Sequence, residues 1–393
     1  MTYQPSAGAG DFIADAASAR ETGGREADAG GAGVRASDIR IPALDGLRGL
    51  MTLFVIVSHY YGEVPSGVGV LRVGWTAVLV FFVLSGYLVG RLIIEKMDAG
   101  NFLRVFYLRR VCRTFPTYFA ATFVILALGW VLSGVAWRDG AAPLPVWSYL
   151  VFLQNFYLVH IGSVGMHWLS PTWTLALEEQ FYLVAPFLLI CAPRRAWLPL
   201  MFALSLLALG ARAHGVLRGD LVLAPVALPP AAGDVLLAGM ILAVLVKTDA
   251  IDWEKYALHV RLTPILCMLL TFAMQKLDGS VVGPRFEIFG PLLMAIGAGA
   301  FILMLVKRAP EARRFENRVL IFFGRISYSV YLTHIAVLGL MHGLILGGLP
   351  NIATPAQIAV TTAAFPLTVL LAWIMTRMLE EPITQWGRGH RWR

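Results

Sequence analysis

The sequence predicts an all-α, polytopic membrane protein: a bundle of about ten transmembrane helices with both termini cytoplasmic. Three observations carry that fold class. Of the 393 residues, 58% are hydrophobic and 14% charged, where a soluble domain has about 45–50% and about 25%. The apolar residues gather into segments long enough to cross a bilayer core of ~30 Å, which takes ~20 helical residues. The basic residues between those segments alternate in density, as they do when cytoplasmic loops are enriched in Lys and Arg. Composition alone therefore excludes a soluble enzyme, a disulfide-framed secreted domain and a disordered scaffold. The formal charge of +8 is not by itself a sign of a nucleic-acid partner, because its meaning depends on where the basic residues lie. Cys112, Cys191 and Cys267 are odd in number and sit in or beside apolar stretches, so they read as reduced, inert thiols.

Residues 1–40 are rich in Gly, Ala, Asp and Arg and lack an apolar h-region, which reads as a disordered cytoplasmic tail. Apolar segments follow near 45–62, 73–95, 115–134, 170–192, 196–214, 231–247, 258–277, 287–306, 320–345 and 356–379. Residues 386–393 form a short basic cytoplasmic end. An eleventh stretch, 148–162, is short and broken by Gln154, Asn155 and His160. If it does not cross, 26 of the 32 Lys and Arg residues face the cytoplasm, and the outer loops hold Arg72, Arg138, Arg212, Arg218, Lys276 and Arg285. If it crosses, every later loop inverts and the basic 307–325 segment faces outward. The charge distribution therefore makes 148–162 an outer re-entrant or interfacial piece, of the kind tolerated where it lines a cavity.

Ionisable groups inside apolar spans are costly, and each is a candidate for function. In the first span Arg48 and His59 are eleven residues apart, which returns to within ~20° of one helix face with a rise of ~16 Å. A snorkelling arginine and a hydrogen-bonded core histidine are the ordinary alternatives. Glu178 and Glu179 open the fourth span in apolar surroundings, where a carboxylate pairs with a cation or serves as acid or base. Ser327, Tyr331 and His334 share a face of the ninth, where core packing and interhelical hydrogen bonding are the plainer roles. His59, Glu178 and His334 each lie thirteen or fourteen residues from the cytoplasmic end of their spans. That places all three ~20 Å above the inner face and points to a shared polar site. Glu63, one turn beyond His59, is within reach of its ring, although an outer-surface carboxylate is the plainer reading. Arg109, Arg110 and Arg113 form a basic face before Pro116. Positive-inside anchoring explains it, and so does a phosphorylated ligand gripped by guanidinium groups. No metal-ligand spacing, Walker loop or dinucleotide fingerprint is present.

These stretches, in order, resemble the acyltransferase family 3 of integral-membrane O-acyltransferases. The resemblance runs over about residues 41–385, the transmembrane acyltransferase domain. It is carried by LDGLRGL with Arg48 and then His59, FFVLSGYL at 81–88, RRVCRTFPTY at 109–118 and FLQN at 152–155. PTWTLALEEQFYL at 171–183, GRISYSVYLTHIAV at 324–337 and EEP at 380–382 complete it. The resemblance implies a ten-helix bundle in a bacterial plasma (inner) membrane, without a permanently bound cofactor. It implies transfer of an acyl group, usually acetyl from acetyl-CoA, to a hydroxyl of a glycan or glycoside, such as a cell-surface polysaccharide. His59 matches the family's essential histidine and Arg48 its paired basic residue. Arg109, Arg110 and Arg113 match a motif proposed to hold the acyl donor, and Glu178 matches the glutamate of the ExxFY element. No SGNH esterase-like domain is expected after the last helix, and any help it would give is expected to be absent or to come from a separate extracytoplasmic partner.

The mechanism expected from these residues has donor phosphates on Arg109, Arg110 and Arg113, with Arg48 at the mouth. The pantetheine arm rises towards His59 as general base, and Glu178 orients or charge-balances its ring; His334 completes the catalytic set. A two-step route through an acylated His59 is the variant. The rival class is a transporter or flippase for an anionic or lipid-linked sugar, which inverted repeats or paired broken helices would favour; no clear pair is visible.

Overall fold

The computed structural model describes residues 41–137, 141–219, 228–280 and 283–393. The tail assigned to residues 1–40 lies outside them. The described chain is all-helical: α1 (Pro42–Val57), α2 (Ala77–Lys96), α3 (Phe102–Val131), α4 (Val146–Leu150), α5 (Gln154–Ile161), α6 (Thr172–Ile190) and α7 (Trp197–Arg218). It continues with α8 (Pro229–Lys247), α9 (Trp253–Asp278), α10 (Pro284–Val306), α11 (Arg318–Leu346), α12 (Pro355–Met375) and α13 (Glu381–Arg388). Each predicted apolar segment falls on a helix. Among the described residues eight helices are long and apolar enough to cross a membrane. The first and sixth segments are the other two. α1 carries Asp45 and Arg48 and gains its length from a π turn, Ser58–Gly62; α8 has 19 residues. This is a multi-pass membrane protein.

Local chemistry sets the helix ends. Pro42, Pro284 and Pro355 stand at helix starts, where a missing N–H costs nothing. Asp252, Asn317 and Thr354 accept backbone N–H groups at N-caps. Gly219, Gly279 and Gly347 end α7, α9 and α11 with positive φ.

The glycines of LDGLRGL have a packing reason. A Cβ on Gly46 would strike the Phe315 carbonyl, and one on Gly49 the Leu320 carbonyl. Gly324 in turn faces the Asp45 backbone. Backbone-to-backbone contact therefore presses α1 onto the start of α11, bringing the helix of Arg48 and His59 against the helix of His334. On its other side α1 joins a core with α2, α8 and α10 that includes Leu47, Val55, Phe82, Leu236 and Ile302.

The 148–162 stretch forms no spanning helix. It is the short pair α4 and α5, joined through Phe152 in a left-handed conformation (φ 56°). Gln154 and Asn155 are buried and wired into the bundle. Gln154 Nε2 donates to Tyr118 Oη (3.0 Å) and the Thr172 carbonyl (2.8 Å). Asn155 and Gln180 exchange amide hydrogen bonds, and Gln180 also donates to the Phe152 carbonyl. Gln154 and Asn155, two of the polar residues that argued against crossing, dock this piece on α6.

One expectation is corrected. Arg212, counted with the outer loops, lies inside α7 and is fully buried. It makes a bidentate pair with buried Asp234 of α8, at 2.8 and 2.6 Å. A charge within an apolar span is kept there because its fork is matched by a carboxylate.

Candidate functional site

The outer half of the site is built by the π turn. Its hydrogen bond runs from Glu63 N to Ser58 O (2.8 Å), so residue i stacks under residue i+5. One carboxylate therefore reaches two neighbours. His59 Nδ1 is 2.9 Å from Glu63 Oε2, and Ser58 Oγ donates to Glu63 Oε1 at 2.8 Å. The turn is closed from outside by Arg72, whose Nε donates to the Gly62 carbonyl (2.9 Å). Glu63 lies just beyond the span. Burial works against its charge, but the hydrogen bond and charge of His59, the Ser58 hydroxyl and the charge of His167 together hold it below its ordinary range.

An ionised carboxylate only accepts, so His59 Nδ1 carries a proton, and in the neutral ring Nε2 presents a lone pair. Nε2 has no hydrogen-bond partner among the described residues. This orientation of an imidazole by a carboxylate leaves the far nitrogen as a base. The rings of His59 and His334 are in contact, with centroids 5.0 Å apart. The structure thus brings together the two histidines that the sequence placed at one depth. Tyr60, next to His59, ties the helices together by donating to the His334 carbonyl (3.0 Å) and meeting Thr368 of α12.

Glu178 does not orient His59. Its oxygens accept from Ser85 (3.1 Å) and Tyr182 (2.9 Å), and it lies within electrostatic reach of Arg48 and Arg110. The observed helix ends explain the difference. Counted from Pro42, Ile190 and Arg318, His59 and His334 rise ~25 and ~24 Å, whereas Glu178 rises only ~18 Å. Tyr331, one turn below His334, is within reach of both Glu178 and Glu63 and accepts from Thr174 Oγ1 (2.9 Å). It stands between the two halves.

The inner half gathers guanidinium groups. Arg48 faces Arg113 and lies near Glu178 and Tyr182, with Asp45 3.9 Å away. Arg110 stacks on Tyr182, 4.7 Å from the ring centre. Arg48, Arg110 and Arg113 donate no hydrogen bond among the described residues. Glu179 lies beside Arg110 and Arg113. Glu380, on a second π turn (Thr376–Glu380), accepts from Ser329 and Thr376 at 3.3 Å and faces Arg113 and Arg48. Adjacent cations with unused donors form a ready anion site. Arg109 is separate from them. Its guanidinium donates to the carbonyls of Arg388 and His390 and stacks on Trp392 (4.7 Å), pinning the C-terminal segment to α3. Of the seven residues given roles in the expected mechanism, the structure thus brings His59 to His334, and Arg48 to Arg110, Arg113 and Glu178.

Two carboxylates complete the site beyond that set. Glu63 had a visible signal, its i+4 spacing from His59. Glu380 lay in the quoted EEP motif, but its place opposite Arg113 depends on a π turn and on α12 packing against α11.

The chain is similar to known proteins along most of its length. A family model described as an acyltransferase domain, that of acyltransferase family 3, matches residues 41–377. A protein of Staphylococcus aureus (strain COL) named "Putative O-acetyltransferase SACOL0978" is 26% identical over 378 residues, covering 90% of this chain and 59% of its own length. The "O-acetyltransferase OatA" of Staphylococcus aureus (strain NCTC 8325 / PS 47) is 25% identical over 377 residues, covering 88% of this chain and 58% of its own length. The chain thus spans about three fifths of the length of these curated relatives. No solved structure matches it. With its model covering residues 41–377, the helices of His59, His334 and the arginine cluster included, the chain belongs to acyltransferase family 3.

Proposed function

We propose that this protein is a membrane O-acyltransferase that moves an acyl group, acetyl by default, from cytoplasmic acyl-CoA to a hydroxyl of a glycan or glycoside, such as a cell-surface polysaccharide. One observation carries the reading: a carboxylate-oriented histidine sits on the same helix as an arginine that belongs to a cluster of guanidinium groups donating no hydrogen bond among the described residues. The ~16 Å between them is a distance for an extended thioester arm to bridge. The basic-residue distribution puts the arginines on the cytoplasmic side, where acyl-CoA is made.

In this reading Arg48, Arg110 and Arg113 hold the donor's phosphates, and Arg109 holds the wall beside them. Glu178, anchored on Ser85 and Tyr182, balances the charge of the cluster. The thioester reaches His59. As the acceptor oxygen attacks the thioester carbonyl carbon, His59 Nε2 takes its proton, and the ionised Glu63 stabilises the imidazolium. The carbon–sulfur bond breaks, and the proton passes to the leaving thiolate.

Purified protein in nanodiscs is to be given radiolabelled acetyl-CoA and a panel of glycan acceptors. Label is expected on acceptor hydroxyls and absent with His59→Ala protein that remains folded. Label retained on the protein at His59 would replace direct transfer with the two-step route. Absence of transfer and of CoA binding, with sugar movement across vesicles, would refute the acyltransferase reading in favour of a transporter.

A further inference from the structure

His59 and His334 meet as two rings that both keep their Nδ1 protons occupied elsewhere. His59 gives its proton to Glu63. His334 Nδ1 lies 2.9 Å from the Tyr331 carbonyl and 3.2 Å from that of Val330; carbonyls only accept, so this nitrogen is also protonated. Both Nε2 atoms are therefore lone pairs. His334 is wholly buried, and its Nε2 has no partner among the described residues. A buried polar atom left alone in a folded protein calls for a reason.

The geometry narrows what could satisfy it. With centroids 5.0 Å apart and planes inclined at 46°, the rings touch without a hydrogen bond between them in this structure; nitrogens rotated to face each other at that separation would come within ~2.7–3.2 Å. In the resting state neither Nε2 can donate. His59 acquires a donor there at one moment, when it has taken a proton.

We propose that His334 is the hydrogen-bond acceptor for the Nε2–H that His59 gains from the acceptor hydroxyl, so that Glu63, His59 and His334 hold the travelling proton together. This rests on the acyl-transfer reading above. As the oxygen–carbon bond forms, the hydroxyl O–H breaks and its proton binds His59 Nε2, while the carbon–sulfur electron pair leaves on sulfur. The imidazolium then gives Nδ1–H to Glu63 and Nε2–H to His334. The proton finally moves from His59 Nε2 to the thiolate, forming the free thiol and restoring both rings. His334 stays neutral and touches neither substrate; it is a positioning residue. Its backbone is fixed for this role, because Tyr60 holds its carbonyl. The titratable groups around His59 are Glu63 on its own turn, His334 and Tyr331 from α11, and His167 from the loop before α6, which faces Glu63.

Two measurements test the proposal. In nanodiscs, His334→Leu is expected to lower kcat by ~10- to 100-fold with the KM of both substrates unchanged. His334→Gln, whose amide oxygen can stand near the Nε2 position, is expected to recover most of that loss. Independently of any variant, ¹⁵N-histidine NMR of the wild-type protein is expected to show a coupling across the His59–His334 hydrogen bond once acid protonates His59. Wild-type kcat in His334→Leu protein, or no such coupling with His59 protonated, overturns the proposal. A wild-type protein that transfers no acyl group refutes the acyl-transfer reading instead, and the NMR coupling still decides whether the two rings share a proton.

Discussion

Replacing Glu63 by Gln separates its role in orienting His59 from mere packing. The side chain keeps its size but loses the charge, and its amide can turn to donate to Nδ1. That would impose the tautomer in which Nε2 is protonated and no longer a base. The bond at stake is 2.9 Å long between half-buried groups. A hydrogen bond to a charged partner contributes about 1.5–3 kcal/mol, and each 1.36 kcal/mol is tenfold in rate. Transfer from labelled acetyl-CoA should therefore slow by ~10- to 150-fold in kcat. The donor KM should not move, because the arginine cluster lies ~16 Å along the helix. Ser58→Ala, which removes the other bond to the carboxylate, should cost ~2- to 10-fold, an ordinary hydrogen bond's worth. Unchanged kcat in Glu63→Gln protein that folds and binds CoA would refute the orienting role. A raised donor KM with intact kcat would show that Glu63 belongs to binding instead.

The remaining predictions concern the arginines and the bundle. Arg48→Ala and Arg113→Ala should each weaken CoA binding by ~10- to 150-fold, with the loss shrinking as salt rises; equilibrium binding over a salt series checks this. Arg109→Ala should leave CoA affinity nearly unchanged but expose the C-terminal segment after Glu381, seen as faster limited proteolysis there. Glu178→Gln removes a negative charge beside Arg48 and Arg110 and should lower the donor KM with little effect on the base, a change in binding where Glu63→Gln changes kcat. Arg212→Leu strands Asp234 in the bundle and should destabilise the protein by about 3–5 kcal/mol. Thermal unfolding in detergent should show that loss, and Arg212→Leu with Asp234→Leu should recover much of it.

The spans and the matching depth of the two histidines were legible because each depends on local quantities. Helix length, hydrophobic content and rise per residue place His59 and His334 at matching depths without knowledge of neighbours. Glu178 shows where that method stops. A depth counted from an assumed boundary carries the boundary's error, and a few residues are enough to move a carboxylate from one half of a site to the other. Arg109 shows a second limit. Helical spacing puts it over Arg113, yet the C-terminal segment, far away in sequence, occupies its guanidinium.

The sequence by itself determined that this chain is a helical membrane bundle, which side its basic residues mark, and that 148–162 does not cross. Those follow from the cost of placing charge and unpaired backbone in hydrocarbon, which acts residue by residue. Only the tertiary structure decided which charges face each other. The π turn puts Ser58 and His59 under one carboxylate, glycine contacts press α1 against α11, and Glu178 falls to the arginines rather than to the imidazole. Such pairings depend on ångström-scale approach between helices distant in the chain, and only packing sets that approach.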